Sequence, residues 1–264
     1  MDISTVFGIV IGLGLVIISV LIGEGVKGFV PFLNLEAFFV VIGGTIAALF
    51  VNYPLKQVFG LTKVLKKVLF TQDEDDTTYI INTFVELSKK ARTDGFLALE
   101  NDTKNLKIDF QRRGVQMVVD GMDKEFITNL LETEIEFIRE RHKVGQEIFN
   151  SLGTYAPAFG IIGTILGMIL MLSSITDVQE VPRRMALCLA AAFFGLGSGY
   201  LIFLPMSGKL RRKSDEELLR KEIIIRGVLL LQAGAVPSKM EENLKAFLEP
   251  AKRGGRAAAA TAAQ

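Results

Sequence analysis

Residues 153–167 read GTYAPAFGIIGTILG. The stretch is apolar enough for lipid, yet it holds Pro157 and four glycines, Gly153, Gly160, Gly163 and Gly167. A helix that only anchored a protein would be better built from leucine, because glycine and proline both weaken helices. The small residues are ordered, however. Gly153, Gly160, Gly167 and Ser174 recur every seven residues, with Ala156, Gly163 and Thr164 between them. That spacing puts them on one helix face, where a second helix can approach closely in lipid. A matching face, Ala192, Gly195, Ser198 and Gly199, lies further along. Two arrangements fit the spacing, singly or together: the faces pack against each other within one subunit, or they line a partner helix.

The surrounding chain supports a membrane reading. Half of its 264 residues are hydrophobic, and mean hydropathy is +0.38. Four segments approach the roughly 20 apolar residues needed to cross a bilayer: about 3–23, 35–52, 150–176 and 185–208. The first lacks a basic start and a small-x-small cleavage site, so it reads as a retained helix rather than a signal peptide.

Lys and Arg near helix ends set orientation. Lys56, Lys63, Lys66 and Lys67 follow span two; Lys209, Arg211, Arg212 and Lys213 follow span four. Arg183 and Arg184, between spans three and four, are a counter-signal, but the larger clusters outweigh them. Both termini, the region 55–147 and the tail are therefore expected in the cytoplasm.

The fold class expected is an all-α membrane protein. Four transmembrane helices carry a helical cytoplasmic domain between spans two and three and a cytoplasmic C-terminal helix. The divisions are 1–54 for spans one and two, 55–147 for the cytoplasmic domain, 148–208 for spans three and four, and 209–250 for the C-terminal helices. The low-complexity end 251–264 reads as a disordered tail or cloning remnant. Within 55–147, Ile80, Phe84, Leu87 and Ala91 mark one helix face. Thr93-Asp94-Gly95 signals a turn. Asp123 suits the N-cap of a helix that carries Phe126, Ile127, Leu130, Leu131, Ile135, Phe137 and Ile138 and continues into span three.

Composition excludes several functions. A net charge of +1 gives no field for nucleic acid, and one Cys and one His make a poor basis for zinc or thiol chemistry. His142 sits among Arg139, Glu140, Arg141 and Lys143 as part of a solvated face, and Cys188 reads as core packing. No enzyme activity and no cofactor are expected. Spans three and four hold no Asp, Glu, Lys, Arg or His from Ile148 to Thr176 or from Met185 to Gly208. Ion transport across a bilayer normally needs an ionisable or polar site, so any titrating group would have to come from a partner. Pro157 and Pro205 each remove a backbone hydrogen bond; either a tolerated kink or a hinge beside an ion path fits them.

APAFGIIGTILG at 156–167, GLGSGYLIFLP at 195–205, ARTDGFLALE at 91–100 and QRRGVQMVVDGMD at 111–123 resemble the MotA family of flagellar motor stator subunits, related to ExbB/TolQ. The likeness covers about residues 1–250, and the two-span start fits MotA better than the three-span ExbB/TolQ energisers. It implies a multi-pass protein of the bacterial inner membrane, forming a five-copy ring around a MotB-type single-span partner that supplies the membrane aspartate. Ion flow would turn the ring against the rotor's switch protein. By this resemblance Pro157 and Pro205 couple ion passage to movement, and Arg92 and Glu100 face the rotor, with Lys89, Lys90 and Arg113 extending that patch. The chain departs from the pattern at Ala192, where many members carry threonine, and at Gly197, where a larger apolar residue is usual. With Thr164 as the remaining hydroxyl, the transported ion is expected to be a proton rather than sodium. The alternative is an ExbB/TolQ-like energiser acting on a periplasmic partner.

Overall fold

The computed structural model describes residues 3–60 and 77–248. Lys63, Lys66, Lys67 and the stretch 251–264, on which some of the sequence expectations fall, lie outside the described residues. All regular structure among the described residues is helical. The long elements are α1 (Ile3–Glu24), which leads into a 3-10 helix over Gly25–Phe32, and a second span. That span is made of α2 (Leu35–Phe38), a π-helical segment (Phe39–Gly43) and α3 (Gly44–Asn52). Then come α4 (Thr77–Asp94), a 3-10 turn (Phe96–Leu99), α5 (Glu100–Lys104), α6 (Asp109–Val119) and α7 (Lys124–Ser173). The chain continues with α8 (Glu180–Leu196), a second π-helical segment (Gly197–Phe203), α9 (Leu204–Gln232) and α10 (Pro237–Lys245). Four stretches are long and apolar enough to cross a membrane.

Local chemistry sets the boundaries. The Asp123 carboxylate accepts from the Phe126 N–H at 2.8 Å, capping the start of α7 as its sequence position suggests. From there α7 runs 50 residues, far beyond the roughly 20 that a bilayer needs. Its assignment continues through Pro157 without a break. Helix α4 stops at Gly95, whose φ of +82° favours glycine. Gly234, with φ of +65°, separates α9 from α10, and Pro237 opens α10 at a position where a missing N–H is harmless.

The chain divides into two compact units. The first comprises residues 1–72 and 141–212. Its apolar side chains are largely exposed: Ile22, Val51, Ile161 and Leu172 all project outward. In water such a surface would be unstable; in lipid it is solvated. Within the unit, Ala37, Val41, Leu187, Ala190 and Ala191 form one buried cluster, and Leu49, Ile148, Phe149, Leu152 and Met206 form another. Arg183 and Arg184 do not carry unbalanced charge. Arg184 lies 3.5 Å from Glu36 and 3.3 Å from Glu180, and Arg183 lies 3.3 Å from Glu180.

The second unit comprises residues 73–140 and 213–264. Its core gathers Ile80, Phe84 and Leu87 of α4, Phe110 and Val115 of α6, Ile127 and Leu131 of α7, and Ile223, Ile224 and Val228 of α9. Of the apolar residues on the first part of α7, Ile127, Leu131, Ile135 and Ile138 are buried, whereas Phe126, Leu130 and Phe137 are exposed. The i, i+4, i+8 row takes the core-facing positions and leaves the others outside. The Ser88 hydroxyl donates to the Ala235 carbonyl at 2.7 Å, and Gln232 donates to the Met122 carbonyl at 2.7 Å. Phe84 is fully buried and packs on Gly227, where an added Cβ would lie 2.5 Å from the ring. Phe84→Ala should destabilise this unit by about 3–5 kcal/mol, read as a lower unfolding temperature of the purified protein in detergent.

Candidate functional site: the proline–glycine seam and the charged turn

The small-residue faces meet each other within one chain. Helix α7 and span four run antiparallel with their backbones in contact. A Cβ built on Gly160 would lie 3.1 Å from the Ala191 carbonyl oxygen and 3.2 Å from the Gly195 Cα. One built on Gly195 would lie 2.7 Å from the Ala156 carbonyl oxygen and 2.8 Å from the Gly160 Cα. These obstacles are backbone atoms, which cannot swing aside as a side chain can. Gly163 faces Ala191, Gly167 faces Cys188, and Gly153 faces Leu204. The Pro157 ring rests on Gly199. These glycines pack within the subunit.

Thr164 stands two turns from Pro157 on α7 and is half-buried. Its hydroxyl donates to the Ile161 carbonyl at 2.7 Å, so the proton is used locally while the oxygen keeps lone pairs able to accept. The antiparallel register puts half-buried Ala192 at about the level of Thr164. With a methyl group there, Thr164 supplies the hydroxyl at this depth of the seam. Pro205, on the far side of the π-helical segment, is exposed. The seam also lacks any Asp, Glu, Lys, Arg or His of its own, and among the described residues no group of three His, Cys, Asp or Glu side chains is placed to hold a metal.

Some contacts of this unit carry little sequence signal. Gly44 seats Phe159, with an added Cβ 2.2 Å from the ring, and Gly12 seats Leu201. Both sit in spans that read as ordinary apolar helices; the Gly43-Gly44 pair is the available hint. Asn52 donates to the Tyr155 hydroxyl at 3.1 Å, the Tyr53 and Ser151 hydroxyls are 3.0 Å apart, and Ser207 donates to the Gln146 carbonyl at 2.9 Å. These pairs depend on long-range register and could not be read from local pattern.

In the other unit, Arg92 and Glu100 flank the Gly95 turn. Arg92 lies in the last turn of α4 and is exposed, a favourable end for a cation. It has no ion pair among the described residues. Glu100 opens α5, is exposed, and pairs with Lys104 at 3.2 Å. Lys90 and Arg113 are engaged inside the unit, Lys90 with Asp102 at 2.7 Å and Arg113 with Glu134. Lys89 is exposed.

The fold and the seam define a four-span helical membrane protein whose last two spans touch through glycine and proline but contain no charge. The MotA/TolQ/ExbB proton channel family matches over residues 102–223. The chain is 35% identical to the uncharacterised protein YtxD of Bacillus subtilis over 93% of this chain and 90% of YtxD. It is 33% identical to the chemotaxis protein PomA of Vibrio alginolyticus, over 96% and 98% of the two chains. The structure of the flagellar MotAB stator complex from Bacillus subtilis superposes with a TM-score of 0.87 at 30% identity, covering 94% of this chain and 96% of that one. This chain belongs to the MotA/TolQ/ExbB family, within its MotA/PomA group.

Gly195→Val should prevent α7 and span four from closing. The expected result is a marked fall in folded protein recovered from membranes, measured by size-exclusion chromatography in detergent, whereas Gly197→Ala, whose Cβ meets nothing within 4 Å, should be recovered at the wild-type level.

Proposed function

We propose that this chain is an ion-conducting stator subunit of the bacterial flagellar motor, coupling inward ion flow to torque on the rotor. The observation that carries the reading is the charge-free seam in a chain that matches a MotAB stator complex almost end to end. Such a seam cannot bind and release a proton by itself. The subunit therefore works in an oligomeric ring, five copies by family resemblance, around a MotB-type single-span partner whose membrane aspartate takes up the ion. The protein is multi-pass in the inner membrane, with both termini and the region 55–147 cytoplasmic. It is a transporter and force transmitter with no enzymatic step. Four candidate spans and near full-length likeness to PomA favour this reading over an ExbB/TolQ-like energiser.

The chain's own groups have separable tasks in this scheme. Pro157 and Pro205 carry movement out of the ion path, and Thr164 offers a hydroxyl oxygen along it. Sodium prefers several oxygen donors, so Ala192, which supplies none from its side chain, favours a proton. Arg92 is the cation most available to a rotor partner, since Lys90 and Arg113 already hold carboxylates. Glu100 supplies the opposite charge across the Gly95 turn.

Swimming speed distinguishes the ions. In a host that depends on this subunit and its partner, a protonophore should stop swimming while sodium removal leaves it unchanged; the reverse outcome would assign sodium. Reversing both rotor charges, Arg92→Glu with Glu100→Lys, should lower swimming speed by roughly tenfold while ring assembly, read by size-exclusion chromatography, is preserved. Exposed charges contribute little to folding, so loss of motility with intact assembly isolates the rotor contact, and unchanged motility removes it.

A further inference from the structure

Pro157 and Pro205 lie on different helices, but one segment of backbone connects them. Gly197–Phe203 is π-helical, and the Leu204 N–H at its end donates to the Gly199 carbonyl, five residues back. The next residue, Pro205, has no N–H to offer. A wide helical turn is thus followed at once by a missing donor, so this part of span four is held by fewer regular backbone bonds than an α-helix of equal length. The Ser198 hydroxyl adds a side-chain bond one turn earlier, donating to the Phe194 carbonyl at 2.6 Å. π-Helical turns are rare, usually short, and concentrated at functional positions. They can revert to α-helix by a shift of hydrogen-bond register without the helix coming apart.

The Pro157 ring is seated on this segment. A Cβ built on Gly199 would fall 2.8 Å from both Cγ and Cδ of Pro157 and 3.0 Å from the Gly153 carbonyl oxygen. Two residues earlier, a Cβ on Gly197 would meet nothing within 4 Å. The same π-helical segment therefore contains one glycine that the contact requires and one that it does not. A pyrrolidine ring is rigid, so a displacement of α7 at Pro157 presses directly on the backbone at Gly199.

We propose that Gly199 is a positioning residue that joins the two prolines into one mechanical element. It seats the Pro157 ring against the π-helical segment, and that segment changes hydrogen-bond register to pass motion of α7 on to Pro205. The proposal deepens the stator reading, in which the prolines couple ion passage to movement, and rests on it for its functional consequence. The contact and the register change do not depend on which ion flows.

Two measurements test it. In the purified stator complex, Pro157→Ala should change hydrogen exchange of the 197–204 amides by about threefold or more, while Gly197→Ala leaves exchange outside its own turn unaltered. No change at 197–204 in Pro157→Ala would overturn the contact as a route for motion. In the motility assay, Gly199→Ala should swim at least about threefold slower than Gly197→Ala, and Pro157→Ala with Gly199→Ala should be no slower than Pro157→Ala alone, because the two changes act on one contact. Equal speeds for the two glycine variants, or losses that multiply in the double variant, would overturn it. If Gly199→Ala does not accumulate in membranes, the exchange measurement on Pro157→Ala still decides. Altered exchange in Pro157→Ala, together with a wild-type chain that powers no motility, would remove the stator reading and leave the mechanical link standing.

Discussion

The backbones of α7 and span four touch where Gly160 meets Gly195, and the rest of the membrane unit is arranged around that contact. Lipid tails are as apolar as leucine, so no hydrophobic force draws two helices together in a bilayer. Close van der Waals packing must do it, and the closest packing is available where neither helix has a side chain. Each neighbouring contact depends on this one: Gly167 on Cys188, Gly163 on Ala191, and Pro157 on Gly199. Span two joins through the Phe159 ring, which fills the space that Gly44 leaves open.

The same packing limits the chemistry. A seam closed by glycine, alanine and proline has no room for a carboxylate and does not contain one. Membership of the MotA/TolQ/ExbB family gives that absence its meaning, and it is the ground for proposing that the acid comes from a partner. The charges of the other unit are divided in a similarly economical way. Lys90 and Arg113 pair with carboxylates of neighbouring helices, whereas Arg92 stands exposed beside a turn fixed by Gly95. One turn therefore presents a cation and an anion, Arg92 and Glu100, on backbone that is firmly placed by the buried Leu99 between them.

Much of this was legible in the residues before any coordinates. Helix existence followed from apolar runs and from Ile80, Phe84 and Leu87 at helical spacing. The start of α7 followed from Asp123, and its length from the apolar helical pattern that runs on into span three. The seven-residue glycine period announced a packing face. Periodicity did not say what the glycine face touches, since an intramolecular and an intermolecular helix demand the same small residues. It also did not separate Ile127 and Leu131, which are buried, from Phe126 and Leu130, which are exposed, because all four are apolar and lie side by side.

What the sequence determined by itself is therefore whatever depends on local composition and period: four apolar spans, helical polar segments, a small-residue face, and two last spans without an acidic residue. Tertiary structure alone decided which surfaces meet. It assigned the glycine face to the neighbouring span of the same chain, paired Arg183 and Arg184 with Glu36 and Glu180, and committed Lys90 but not Arg92. It also placed a π-helical segment under Pro157. These outcomes depend on contacts between residues far apart in the chain. A π-helical turn in particular leaves no composition signature, because it is a register of hydrogen bonds that the packing around it selects.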